Sequence, residues 1–146
     1  EELKKLGGVS YTDEENLFAQ ELYKTLINPD RAIGDQETIQ PLALSQTKGS
    51  TDVGDVSWKV PTSGVRIATW VPGTSSHSWQ AVAAGGTSIG TKGSTLAAKA
   101  LANSAARLFE EPTLIKMAWN EHKANIGDHD YQALLGDREP PLDYRK

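Results

Sequence analysis

The chain has no cysteine among its 146 residues. That excludes a disulfide framework and thiolate ligands, so a bound metal would have to take imidazole or carboxylate donors. Methionine occurs once, at Met117. No stretch approaches the about 18 consecutive apolar residues of a membrane span. The polar opening EELKKLGG lacks the apolar centre of a signal peptide. A basic surplus is missing as well: 15 Lys and Arg stand against 19 Asp and Glu, a formal net charge of −4. Phosphate backbones are held by basic surfaces, so composition argues against a nucleic-acid partner. The catalytic patterns H-E-x-x-H and G-x-S-x-G and the P-loop are all absent. These absences leave a cytoplasmic protein, with neither membrane nor nucleic acid as partner, as the default expectation. Glu1 rather than methionine opens the sequence, which suggests a piece of something larger.

What is present suits one domain with a sizeable core. Residues 1–10 predict a short charged helical turn ending at Gly7-Gly8. Thr12 followed by Glu15 has the spacing of a capping box, and Asp13 and Glu14 favour the positive end of a helix dipole. Leu17, Phe18, Leu22 and Leu26 then recur with a helical period until Asn28-Pro29 should end the helix. Residues 29–48 carry no period beyond a short extended piece near residues 41–44. Val56, Trp58 and Val60 alternate with polar residues, and VRIATWV at 65–71 is β-branched and aromatic, so both stretches predict strands. Glycine-rich residues 80–93 read as a loop with one turn of helix. A small-residue helix follows from Ser94, broken at Glu110-Glu111-Pro112, and a last helix runs to Gly127. The tail GDREPPLDYRK is polar and proline-rich. The residues alone therefore indicate an α/β or α+β piece.

The chemistry-bearing residues gather between residues 49 and 80. Asp52 and Asp55 sit in the turn-forming GSTDVGD, and His77 sits in GTSSHS just after the second predicted strand. His77 reads either as a metal ligand or general base or as a plain surface histidine, and the surface reading is the commoner one. Asp52 and Asp55 either orient a ligand histidine or simply bond turn amides. His122 and His129 are expected to be solvated, while Trp58, Trp70 and Trp79 suggest core packing. One histidine and two aspartates are too few for a closed zinc site, so a site here is a half site.

The order GSTDVGDVSW, a predicted strand, PGTSSHSW and a small-residue helix resembles the zinc-dependent aminoacylase/carboxypeptidase family of amidohydrolases, and especially its members that cleave p-aminobenzoyl-glutamate. The likeness runs from GGVSYTDEE to about Phe109. It implies an α/β fold: the C-terminal portion of the catalytic domain of a zinc-peptidase-like (phosphorylase/hydrolase-like) enzyme, with strands plus packing helices and the lid domain absent. Residues 1–127 would be the metallo-hydrolase segment and residues 128–146 a tail. His77 matches the family's last metal-ligand histidine, and Asp52 matches the acid of its glycine–acid turn, with Asp55 a weaker companion. Two divalent metal ions are implied, zinc first and manganese or cobalt as alternatives. The implied reaction is hydrolysis of an acyl–amino acid amide by water activated at the metals, with a carboxylate as general base. The small-molecule substrate, the remainder of the parent chain and a homodimer partner held through the absent lid are the implied partners. The family's His-x-Asp stretch and Glu-Glu pair are missing, and Glu110-Glu111 is a helix end. The chain alone is therefore expected to supply one ligand, no general base and no activity. The alternatives are a stand-alone binding or assembly module, or a degenerate subunit completed by a partner chain.

Overall fold

The computed structural model describes residues 1–42, 49 and 51–143. The chain divides into two units, Glu1–Ser45 with Gly64–Glu110, and Gln46–Ser63 with Glu111–Lys146. Among the described residues every regular element is helical and there is no strand. The expectation of an α/β fold built of strands and packing helices is therefore corrected.

The first unit holds α1 (Glu2–Leu6), α2 (Asp13–Tyr23), a 3-10 turn (Asp35–Glu37), α4 (Trp79–Gly85) and α5 (Ser88–Glu110). The second holds α3 (Val53–Lys59) and α6 (Pro112–Ile126).

In the first unit α1 ends where expected, with Gly7 at φ 81°. The capping box of α2 is complete: Thr12 Oγ1 accepts from the Glu15 amide at 3.3 Å, and a Glu15 carboxylate oxygen accepts from the Thr12 amide at 2.7 Å. This helix stops before Asn28-Pro29, because the Thr25 and Leu26 amides turn to carbonyls three residues back and the Thr25 hydroxyl also bonds the Leu22 carbonyl at 2.7 Å. The core is small. Ala19, Leu22, Val71, Ala84 and Ile89 are buried together, with Tyr11, Phe18 and Trp70 packed around them.

The best predicted strand, residues 65–71, is an irregular segment that runs beside α5. Its alternation suits a strand, but strands form by pairing, and no partner strand exists among the described residues. Among those residues no backbone N–H or C=O from Val65 to Thr69 makes a backbone hydrogen bond, and Trp70 uses its carbonyl to accept from the Tyr11 hydroxyl at 3.4 Å. The segment lies so close to α5 that a Cβ on Gly93 would collide with the Ala68 carbonyl oxygen.

The glycine-rich stretch also departs from expectation. Residues 79–85 are helical, and α5 begins at Ser88 rather than Ser94. Gly90 and Gly93 are buried inside α5, where each admits a neighbouring backbone: Gly85 at the first and Ala68 at the second. These glycines serve close packing, not a loop.

In the second unit the expected strand over Val56, Trp58 and Val60 is replaced by the helix α3, which holds Val56 and Trp58 and has the extended Val60 as its C-cap; Asp55 lies in its first turn and Lys59 in its last, as the helix dipole favours. The expected limits of α6 hold, with Pro112 at its start and Gly127 as C-cap at φ 58°. The extended piece expected near residues 41–44 falls mostly outside the described residues.

Candidate functional site

The turn that carries His77 is built from its backbone outward. The Thr74 amide bonds the Val71 carbonyl at 3.1 Å. Gly73 adopts φ 80°, and a Cβ there would lie 2.6 Å from Pro29 Cβ, so both conformation and space demand glycine. Ser78 closes the turn. Its hydroxyl donates to the Ser75 carbonyl at 2.7 Å and accepts from the Ala81 amide at 3.2 Å, capping α4. Between these anchors His77 is exposed at φ 59°. Left-handed backbone is uncommon outside glycine, and its presence at a histidine marks a position worth a functional hypothesis. The Thr74 hydroxyl in the same turn is buried and makes no hydrogen bond among the described residues.

Asp52 and Asp55 belong to the second unit, His77 to the first. Asp52 is the exposed N-cap residue of α3 and makes no side-chain cap. Asp55 is also exposed, and its carboxylate accepts a short hydrogen bond from the Tyr131 hydroxyl. That bond and the nearby carboxylate charge push the Tyr131 phenol above its ordinary pKa. Lys59 donates to the Tyr131 carbonyl at 3.0 Å and lies 5.1 Å above its ring. Trp58 faces His129 at 4.6 Å between ring centres and stacks on Tyr131 at 6.0 Å.

His122 meets Trp119 edge-on at 5.5 Å. Of the three tryptophans expected in the core, only Trp70 packs there; Trp58 and Trp79 are exposed.

Among the described residues, no three His, Asp or Glu side chains converge as a metal site would require. A closed zinc site takes four donors. The described residues thus do not by themselves fit a closed metal centre, and no catalytic step is drawn through one.

Two groupings were not legible beforehand. One is the Asp55–Tyr131 contact just described. The other is a buried carboxylate in the first unit: Glu15 is 7% exposed, and beyond its capping role it accepts from Lys92 Nζ at 2.5 Å and from the Ser88 hydroxyl at 2.5 Å. The Lys92 bond, then the Ser88 bond, holds its pKa down at about 2. The Tyr11 phenol is pushed up to about 12, first by burial and then by the Glu15 charge. This cluster ties α2 to α5. Its carboxylate is fully engaged by its neighbours, which suits structure rather than proton transfer. Only the Thr12–Glu15 spacing could have drawn attention to it.

The chain is similar to a hydrolase component. That relative is a p-aminobenzoyl-glutamate hydrolase subunit of Escherichia coli (strain K12), 33% identical over 146 aligned residues that cover 83% of this chain. The match spans 30% of the relative, so this chain corresponds to under a third of that protein's length. No protein-family model and no solved structure matches the chain.

Proposed function

We propose that this chain is a piece of a metal-dependent amidohydrolase of the aminoacylase/carboxypeptidase family, one that cleaves an acyl–amino acid amide such as p-aminobenzoyl-glutamate. The observation that carries this reading is the 33% identity, over most of the chain, to a p-aminobenzoyl-glutamate hydrolase subunit. Further support comes from His77, held exposed on a rigid turn between a buried Val71 and the cap of α4. His77 is the residue we assign as a metal donor, with Asp52 and Asp55 in supporting roles. In such an enzyme bound metals, zinc first, would supply the water-activating chemistry, and this chain's own part would be one imidazole donor. His77 projects from a turn whose geometry is set by Gly73 and Ser78. The general base and the other donors belong to the remainder of the parent chain, so the 146 residues by themselves are inactive. Among the described residues the backbone of residues 65–69 makes no backbone hydrogen bond, and this segment, with the open groove of about 960 Å³ beside it, lined by residues such as Ile67, Ala97 and Leu101, also suits a piece whose surface is completed by more chain.

The test is release of p-aminobenzoate from p-aminobenzoyl-glutamate. We expect it from the parent protein, we expect none from these residues alone, and we expect a metal chelator to abolish it. A parent protein with full metal occupancy and no release would remove the substrate assignment.

A second reading is a binding or assembly module without catalysis. The scarcity of donors favours it: three histidines, no cysteine and no His-x-Asp stretch. A monodisperse, cooperatively melting chain whose stability ignores zinc would bring this reading forward.

A further inference from the structure

The helix α3 has little reason to exist by itself. It has seven residues, buries none of them, and its N-cap Asp52 offers no side-chain bond. Isolated helices shorter than about 12–15 residues are marginal in water. Val53, Gly54 and Val56 are weak helix formers as well. Among the described residues, every side-chain hydrogen bond and ring contact that reaches α3 from distant sequence comes from residues 129 and 131. Tyr131 bonds Asp55, its carbonyl receives Lys59, and its ring lies parallel to Trp58 within 7°. His129 covers the same indole. These contacts grip α3 at positions 55, 58 and 59, which span one helical turn.

We propose that residues 129–131 form a clasp that keeps α3 helical by engaging Asp55 and Trp58, and that opening the clasp unwinds α3 and releases both side chains from these contacts. The coupling runs both ways. The tail segment is irregular; beyond the His129 amide's bond to the Ile126 carbonyl it takes its place from the helix it grips, while the helix gains its stability from the tail. Anything that captures residues 129–131, or that competes for the Asp55 carboxylate, would shift the pair together. The clasp is independent of the hydrolase reading and holds whether or not the chain takes part in catalysis.

The experiment uses the full chain and two variants, Tyr131→Phe and the double variant His129→Ala/Tyr131→Ala. Amide hydrogen exchange and the 13Cα chemical shifts of Val56, Trp58 and Lys59 are read by NMR, with Ile89 and Ala100 in α5 as the control for a folded first unit. We expect exchange of the Val56–Val60 amides to be about ten-fold faster in the double variant. We also expect the three 13Cα shifts to move from helical to unstructured values, and Tyr131→Phe to fall between. Unchanged exchange and helical shifts in the double variant would overturn the clasp. So would unstructured shifts at these residues in the unaltered chain. Should the double variant disturb α5, Tyr131→Phe alone decides: faster exchange confined to α3 supports the clasp, and none refutes it.

Discussion

The two units hold their helices by different means. In the first, α2, α4 and α5 share buried side chains, and a buried carboxylate with three partners joins α2 to α5. In the second, neither α3 nor α6 buries a residue, and α3 is held by exposed rings and a single phenol–carboxylate bond. Burial makes a helix insensitive to any one surface contact, whereas a helix held at its surface depends on each contact and can be released. The candidate residues divide along the same line: His77 rises from the buried unit on a fixed turn, and Asp52 and Asp55 sit on the helix that can let go.

The comparison can be broken most forcefully at the core. Ile89 is fully buried, so Ile89→Ala should destabilise the first unit by about 2–5 kcal/mol, seen as a lower denaturant midpoint. Gly93→Ala should cost about 1–3 kcal/mol, because the new methyl meets the Ala68 backbone, which cannot rotate aside. Glu15→Gln should cost about 1–3 kcal/mol near neutral pH, by leaving Lys92 and Ser88 without their charged acceptor. The pH dependence has a fixed sign. Glu15 titrates at about 2 when folded against an ordinary 4.5, so its stabilisation is present above 4.5 and is lost as pH falls toward 2. Thermal melts across that interval should steepen for the unaltered chain and flatten for Glu15→Gln. The smallest effect belongs to the second unit. Trp58→Ala should cost about 0.5–1.5 kcal/mol locally, through its ring pairs, and leave the melting of the first unit in place. A Trp58→Ala variant that melts the first unit would erase the distinction between the two.

Features set by local chemistry were legible in the sequence. The Thr12–Glu15 box, the proline start of α6 and the Gly127 stop all act within a few residues, and all stand in the structure. Features set by distant contacts were not. Val56, Trp58 and Val60 alternate as strand residues do, yet a strand needs a partner and a helix only itself, and the clasp from 72 to 76 residues away completes the helix. Gly90 and Gly93 look like loop residues because their reason, the approach of Gly85 and Ala68, is tertiary. The candidate site was half legible. The exposed turn around His77 follows from PGTSSHS, but its left-handed backbone does not, nor does the Thr74 hydroxyl that finds no partner among the described residues. Nor could any spacing rule foresee that Asp55 faces Tyr131.

The most direct test of the proposed function is the metal content of the purified full-length parent protein carrying His77→Ala, measured by mass spectrometry of bound metals beside the unaltered protein. We predict that the variant loses bound zinc while keeping the unaltered protein's circular dichroism. Unchanged zinc in a folded variant would contradict the assignment of His77 as a donor.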